Sequence, residues 1–499
     1  MLILMILVYI TLLTFITYVY LRWLKLKQYW AKRRVPYIPP YPLVGNMAFL
    51  QKENPTIWFR RIYNDFKQPY VGIWRFWRPA LIINSSDIAK NILIRDQANF
   101  RNRMVASGNT DPVGRLNLFT LDDPLWRVIR KHLTFFFTGS KLRGIQTLIT
   151  KKAMELVERI DAERQKKEPI NLRSVMTDFA TDVMGTASFG VVSDATLTGE
   201  SLMRNIIREF VKFDFFRGLA WCSVFFLPEV TDLFRVKMFP SKITEFMRKI
   251  LRMIIAQRGG YENKVTEPRD LLDVLIKIKQ DSGEELDMTE NMILAQATVF
   301  LLGGVDTTAT ALAHIIYELA YSPELQNKLY EELLTAKDEY EDDLLDASVL
   351  SQLNYLNCVI NEGFRKYPCI AWLDRVALND YKVEDHLTIE AGTVMYVNIA
   401  GLHYDPEIYP EPHTFNPDRF LPENKNSKFA YLPFGEGPRK CIGQRFGLSN
   451  MRHALTALML HYEVRPLPDA PKPQDIQLKK EGLITVAAHA LSVEFIPRK

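Results

Sequence analysis

Apolar residues recur at three- and four-residue intervals over 140–165, 170–190, 200–216, 240–258, 268–280, 288–320, 323–337, 348–366 and 443–461. That spacing predicts helices. Residues 70–83 (YVGIWRFWRPALII) are β-branched and aromatic with Arg78-Pro79 between two runs, which predicts a hairpin. Short strands are predicted around Ala391-Gly392 in 381–399 and again in 483–496. The chain is therefore mostly α with minor β sheets. Residues 338–346 hold six acids and read as a solvated loop.

The first 21 residues break this amphipathic rhythm. They carry no charge, and about 20 apolar-dominated positions suffice to span ~30 Å of hydrocarbon as a helix. Arg22, Lys25, Lys27, Lys32, Arg33 and Arg34 follow, and the first acid is Glu53. A cleaved secretory signal fits poorly, because no basic segment precedes the run and no small-residue cleavage site follows it. Basic flanks stay cytoplasmic, so residues 1–21 read as a single-pass anchor with a cytosolic body. Thr11, Thr14 and Thr17 share a helix face and can bond to carbonyls of their own helix. Next, four prolines within residues 36–42 exclude helix and favour a stiff, extended spacer. The expected organisation is an anchor (1–21), a basic and Pro-rich linker (22–45), and one large domain (46–499).

Composition narrows the class. The chain has 499 residues, 47% hydrophobic and 24% charged, which excludes disorder. A net charge of +5 from 63 basic and 58 acidic residues gives no sign of nucleic acid as a partner. The four cysteines, Cys222, Cys358, Cys369 and Cys441, match no zinc spacing. The segment 213–239 is dense in aromatics, from Phe213 to Phe239. Such density reads as core, or beside an anchor as a segment that dips into the lipid interface and guides apolar ligands inward.

One cysteine has an unusual setting. In YLPFGEGPRKCIGQRFG (431–447), Gly435, Gly437 and Gly443 surround Cys441, with Arg439 and Lys440 just before it and a helical pattern just after. Glycines allow a sharp turn and close approach to a flat ligand. A helix start and nearby cations favour the thiolate. Upstream, Gly303-Gly304-Val305-Asp306-Thr307-Thr308 lies inside the longest apolar run. Two glycines in a helix interior cost roughly 1 kcal/mol each. Alone, the six residues fit a helix break with a new N-cap slightly better than a functional helix; Cys441 downstream favours the functional one.

These stretches resemble the cytochrome P-450 family. Phe434, Gly437, Arg439, Cys441 and Gly443 match F-x-x-G-x-R-x-C-x-G. Residues 303–308 resemble A/G-G-x-D/E-T-T/S, Glu362 and Arg365 match E-x-x-R, 417–420 resembles P-E/D-R-F with Arg419, and Trp126 and Arg130 match W-x-x-x-R. GLHYDPEIYPEPHTFNPDRF and the cysteine loop look most like insect microsomal, xenobiotic-metabolising members. The resemblance implies the helical haem-thiolate fold and haem b (iron protoporphyrin IX) with Cys441 as axial thiolate. It also implies a monooxygenase acting on lipophilic small molecules by hydroxylation, epoxidation or dealkylation. Phe434 would shield the sulfur. Trp126, Arg130, Arg375 and Arg439 would meet the propionates. Gly303 and Gly304 would give the central helix clearance over the haem, with Asp306 and Thr307 as the proton relay. Glu362, Arg365 and Arg419 would lock the core behind the haem, and Ile370, Ala371 and Trp372 would touch substrate.

Electrons would come from an NADPH-dependent flavoprotein reductase or cytochrome b5 at the endoplasmic reticulum membrane, steered by Arg127, Lys131, Lys440 and Arg445. Rival readings are a thiolate-haem isomerase or dehydratase needing no external reductant, and a non-catalytic haem- or lipid-binding membrane protein.

Overall fold

The computed structural model describes residues 1–212, 214–281, 286–340, 345–424 and 428–498. Phe213 and residues 341–344 of the acidic loop lie outside that set. The organising element is the helix Glu290–Ala320, buried along most of its length and started by Thr289, whose hydroxyl accepts from the Met292 amide. The almost wholly buried helix Leu172–Phe189 packs along it. Asn171 caps one end of that helix, and Gly190 ends it at φ +65, a conformation that favours glycine. Gly139–Gln165, Ser241–Gln257, Leu271–Asp281 and Gln444–His461 complete the helical layers.

The main sheet runs Tyr70–Arg75, Arg78–Ile83, Val394–Asn398, Trp372–Val376. The hairpin is antiparallel (Tyr70 opposite Ile83), the next pairing parallel (Ala80 opposite Val394), and the last antiparallel (Arg375 opposite Met395). A second sheet joins Ile170–Asn171, Ser492–Pro497 and Tyr462–Pro466, and a third pairs Tyr381–Glu384 with Leu387–Ile389.

Four segments extend or revise the sequence reading. The N-terminal helix runs past residue 21 to Lys27, with Thr11 and Thr14 donating to the Leu7 and Ile10 carbonyls at 2.8 Å. The linker, expected as a stiff extended spacer, is docked on the domain. Trp30 is fully buried and donates to the Ile73 carbonyl at 3.0 Å, and Pro36 and Ile38 exchange backbone bonds with Gly72. The predicted helix 348–366 is two helices, Ala347–Gln352 and Asn354–Lys366, because Leu353 is extended. Glu332 caps the second by accepting from the Tyr355 and Leu356 amides at 2.7 and 2.8 Å, which satisfies donors that the break frees. Within 213–239, Phe215–Phe226 is a helix with Trp221, Phe225 and Phe226 buried, while Phe215, Phe216, Leu233 and Phe234 are exposed.

Candidate functional site

The loop before Gln444–His461 is tightly specified. Gly435 and Gly437 adopt φ +69 and +76, and a Cβ on Gly437 would sit 1.9 Å from the Leu93 carbonyl oxygen. Only glycine lets the loop press against the π-helical turn Asn91–Arg95. The Cys441 amide closes the loop on the Phe434 carbonyl at 2.9 Å, and the Phe434 ring meets the edge of Phe364 at 4.9 Å. Gly443 is the helix cap, so Cys441 stands two residues before it rather than on the first turn.

Cys441 lies deep among protein atoms, yet its side chain keeps open surface, so it faces an internal space. Burial pushes its thiol up. The Gly443 N–H and then Arg130, Arg103 and Lys440 oppose that shift by favouring the thiolate.

Four arginines ring this space. Arg130 donates to the Lys440 carbonyl at 2.7 Å. Arg439 donates to Arg101 and Leu121 carbonyls at 2.6 and 2.9 Å, and its guanidinium lies 4.3 Å over the buried Trp126 ring. Arg375, on Trp372–Val376, donates to the Asp374 carbonyl at 2.7 Å. Arg103, which no sequence motif marks, reaches the Arg439 carbonyl at 3.2 Å and stacks on Phe119. None of the four forms an ion pair among the described residues, and the buried Arg439 Nη1 has no partner there. Burial, followed by like-charged neighbours, pushes Arg375 and Arg439 down to about 9. Four cations, Arg375 and Arg439 of them buried, with no ion pair among the described residues call for an anionic group, and the two carboxylates of a haem fit that demand.

The central helix passes through 303–308 unbroken, which removes the helix-break alternative. Its residues divide among different neighbours. Gly303 faces open space: a Cβ there would meet nothing within 4 Å. Gly304 does not; a Cβ would sit 2.4 Å from the Met184 sulfur. The clearance expected at Gly304 therefore serves helix packing against Leu172–Phe189, while Gly303 alone opens onto the space. The Thr307 hydroxyl donates to the Gly303 carbonyl at 2.7 Å, and Asp306 pairs with Arg173 at 2.5 Å. Thr308 lies 4.0 Å from a Cβ built on Gly447, so the helix behind Cys441 meets the central helix there.

Glu362, Arg365 and Arg419 come together. Arg365 donates to Glu362 from Nε and Nη2 at 2.6 and 2.8 Å, and Arg419 approaches at 3.5 Å. Arg365 also reaches the His403 carbonyl, and the Asn416 amide donates to Glu362 at 2.8 Å. Of the predicted substrate contacts, Ile370 keeps accessible surface. Ala371 and Trp372 do not: Ala371 is fully buried, and Trp372 stacks on Phe59 and packs against Phe225 and Phe226. Sealed rings offer a ligand nothing, so those two positions are core here. Of the cations expected to steer a partner, Arg127 pairs with Asp123 and Lys440 with Glu436.

Comparison with known proteins places these features. A family model described as Cytochrome P450 matches residues 35–490. Cytochrome P450 6a2 of Drosophila melanogaster is 33% identical over 94% of this chain and 95% of its own. Cytochrome P450 6k1 of Blattella germanica is 32% identical over 93% and 92%, and Cytochrome P450 6B7 of Helicoverpa armigera 30% over 96% of each.

Proposed function

Since this chain belongs to the cytochrome P450 family and is a haem-thiolate monooxygenase, we propose that Cys441 is its iron ligand and that it oxygenates lipophilic small molecules, in xenobiotic or endogenous lipid metabolism. The carrying observation is the Cys441 sulfur, deep yet open, in the company of four arginines, two of them buried, that form no ion pair among the described residues. When bound, the haem supplies oxygen binding and reductive cleavage of the O–O bond.

The chain's residues do the rest. Arg103, Arg130, Arg375 and Arg439 hold the two propionates, and Trp126 stacks under the Arg439 guanidinium to keep it aimed. Phe434 shields the sulfur and Gly437 lets the loop close behind it. The Gly443 N–H holds negative charge on Cys441. Gly303 leaves room above the site, and Thr307, anchored to its carbonyl, passes protons supplied by Asp306. Apolar walls and Ile370 bind substrate.

Reducing equivalents come from NADPH through a flavoprotein reductase, with cytochrome b5 as a second donor. The exposed apolar helix Leu2–Lys27 with its basic flank fits a single-pass anchor in the endoplasmic reticulum membrane, with the body in the cytosol. The test is reconstitution in vesicles with reductase and NADPH. Parent protein, reduced and exposed to carbon monoxide, is expected to give the Soret band of a thiolate-ligated adduct, and Cys441→Ala to lose it. Product formation that continues without NADPH would favour an isomerase or dehydratase instead.

A further inference from the structure

The N-terminal helix is keyed into the domain rather than tethered to it. Leu2–Lys27 runs on through Gln28, itself in the right-handed helical region, into Tyr29–Lys32, so the two make one rod of 31 residues. Near the end of that rod Trp30 fills a notch that exists only because residue 72 is glycine. Its ring meets Tyr29 at 4.8 Å and Trp74 at 6.4 Å, both edge-on. Arg33, just beyond, lies 3.7 Å over the Tyr29 ring and pairs with Glu390 at 2.5 Å. Val35 is buried as well, so the joint is closed on both sides of Arg33.

A rod joined in this way carries a depth scale into the domain. Residues 2–21 match ~30 Å of hydrocarbon at ~1.5 Å per residue, which leaves Arg22 and Trp23 just outside it, in the headgroup layer. Trp30 stands about 13 Å past Leu21 along the axis. The tip of the hairpin formed by Tyr70–Arg75 and Arg78–Ile83 reaches back to the headgroup level. There the Trp77 ring lies 6.4 Å from Trp23 and 6.0 Å from the Arg22 guanidinium. Beside the tip, Tyr41 and Gly45 close a turn by exchanging backbone bonds at 3.0 Å, and Gly45 pairs with Arg75. That turn leaves Tyr41 and Leu43 each 64% exposed, and Val44 37% exposed. Exposed apolar side chains grouped where an anchor leaves the bilayer fit a lipid surface, and Trp and Tyr favour the boundary between hydrocarbon and water.

We propose that Trp30 is a rigid joint between anchor and domain, and that it holds the hairpin tip and the turn 41–45 in the phospholipid headgroup layer. The inference rests on the reading of Leu2–Lys27 as a membrane anchor, and it does not involve the aromatic segment 213–239. The surface has the mixed chemistry of that layer. Trp77 and Tyr41 supply rings with a polar edge, Leu43 and Val44 supply hydrocarbon, and Arg22 supplies a cation for phosphate. A flexible tether would let the domain tumble above the membrane, whereas a keyed rod gives it one pose.

The test uses full-length holoprotein in phosphatidylcholine vesicles. A nitroxide on Leu43→Cys reports depth, since that replacement leaves Trp23, Trp30 and Trp77 in place. Its collisions with oxygen, which concentrates in hydrocarbon, and with a neutral nickel chelate, which stays in water, are measured. Reference labels sit on Leu12→Cys in the anchor and on exposed Lys90→Cys, beyond the far end of Arg78–Ile83. Parent protein treated identically supplies the blank for the native cysteines. The Leu43 label is expected to meet the nickel chelate several-fold less often than the Lys90 label, and oxygen more often. Equal behaviour at 43 and 90 overturns the proposal. So does low collision with both reagents, which marks packing against protein such as a second copy of this chain. Trp30→Ala should bring nickel collisions at 43 to within twofold of the Lys90 value, with the carbon monoxide spectrum within twofold of the parent; no change overturns the joint. If Trp30→Ala yields no holoprotein, inserting Gly-Ser-Gly-Ser between Lys27 and Gln28 breaks the rod while Trp30 stays seated. It should release the label in the same way, and a label still held overturns the proposal equally. Alkaline carbonate separates the two readings. Parent protein that carbonate extracts from the vesicles defeats the anchor itself, whereas protein that stays inserted with its Leu43 label in water defeats only the present inference.

Discussion

Glu362→Ala probes the lock behind the cysteine loop. The carboxylate is fully buried and accepts four approaches: two from Arg365, one from the Asn416 amide, and one from Arg419 at 3.5 Å. Arg365 is equally buried and would keep only carbonyl partners, on His403 and Thr414. Removing one member of a buried pair leaves an uncompensated charge, which costs about 3–5 kcal/mol. The orphaned Asn416 amide adds about 1–3 kcal/mol. Whole domains are stable by only about 5–15 kcal/mol, so most of the margin would go. The assay is thermal loss of thiolate-type absorbance in detergent-solubilised holoprotein, with haem content per polypeptide as a second readout. The midpoint is expected to fall by roughly 8–16 °C, taking about 2 °C per kcal/mol for a large domain. Glu436→Ala is the control. It breaks the partly exposed pair with Lys440 at 2.8 Å, and such surface pairs contribute about 0–1 kcal/mol. A Glu362→Ala cost no larger than that of Glu436→Ala would refute the assignment of the lock to burial of paired charge.

Other outcomes follow from single contacts. Gly437→Ala places a non-glycine residue at φ +76 and a Cβ against the Leu93 carbonyl; the backbone conformation alone costs about 1–3 kcal/mol, and haem content measured per polypeptide should drop to a small fraction of the parent's. Gly304→Ala crowds the Met184 sulfur, so it should lower the thermal midpoint, and adding Met184→Ala should recover part of the loss; no recovery would mean that the glycine serves something other than packing. His403 is pushed down to about 3, by burial first and then by the Arg365 charge. Its Nε2 accepts from the Leu432 amide at 3.0 Å, so Nδ1 carries the proton toward the Arg365 carbonyl at 3.1 Å. The unfolded chain takes up this proton near pH 6.5 and the folded one only near 3, so stability is full above about 6.5 and falls by about 1.4 kcal/mol per unit below it. His403→Gln should flatten that acid slope between pH 6.5 and 4.5, and an unchanged slope would exclude His403 as its source.

The parts of the fold that were legible are those a short stretch of chain determines. The hairpin itself was legible, although Arg78-Pro79 begins its second strand and Phe76-Trp77 makes the turn, and the helical periods locate most of the long helices. What stayed hidden depends on distant partners. Trp372–Val376 is a buried strand that nevertheless contains Asp374 and Arg375, a pattern opposed to strand reading. It is stable there because Asp374 accepts from the Met104 and Val105 amides at 2.5 and 3.3 Å. Trp30 reads as linker until the Gly72 surface that receives it is known: a Cβ on Gly72 would lie 2.5 Å from its ring. Arg103 belongs to no motif, and only the folded loop brings it beside Arg439 and within electrostatic reach of Cys441.

The central helix shows why even a recognised motif is incompletely read. An amphipathic helix reveals its orientation through its polar face. Glu290–Ala320 is apolar nearly all round, so its period locates the helix but not its rotation about the axis. Rotation decides everything for residues 303–308. Gly303 and Thr307 meet open space, Gly304 meets Met184, Asp306 meets Arg173, and Thr308 meets the helix that follows Cys441. Five of these six residues thus serve four surfaces, and a pair written side by side, Asp306 and Thr307, is separated by about 100° of arc. A relay between them needs a moving carboxylate or an intervening water. The residue that holds the carboxylate lies 133 positions away along the chain.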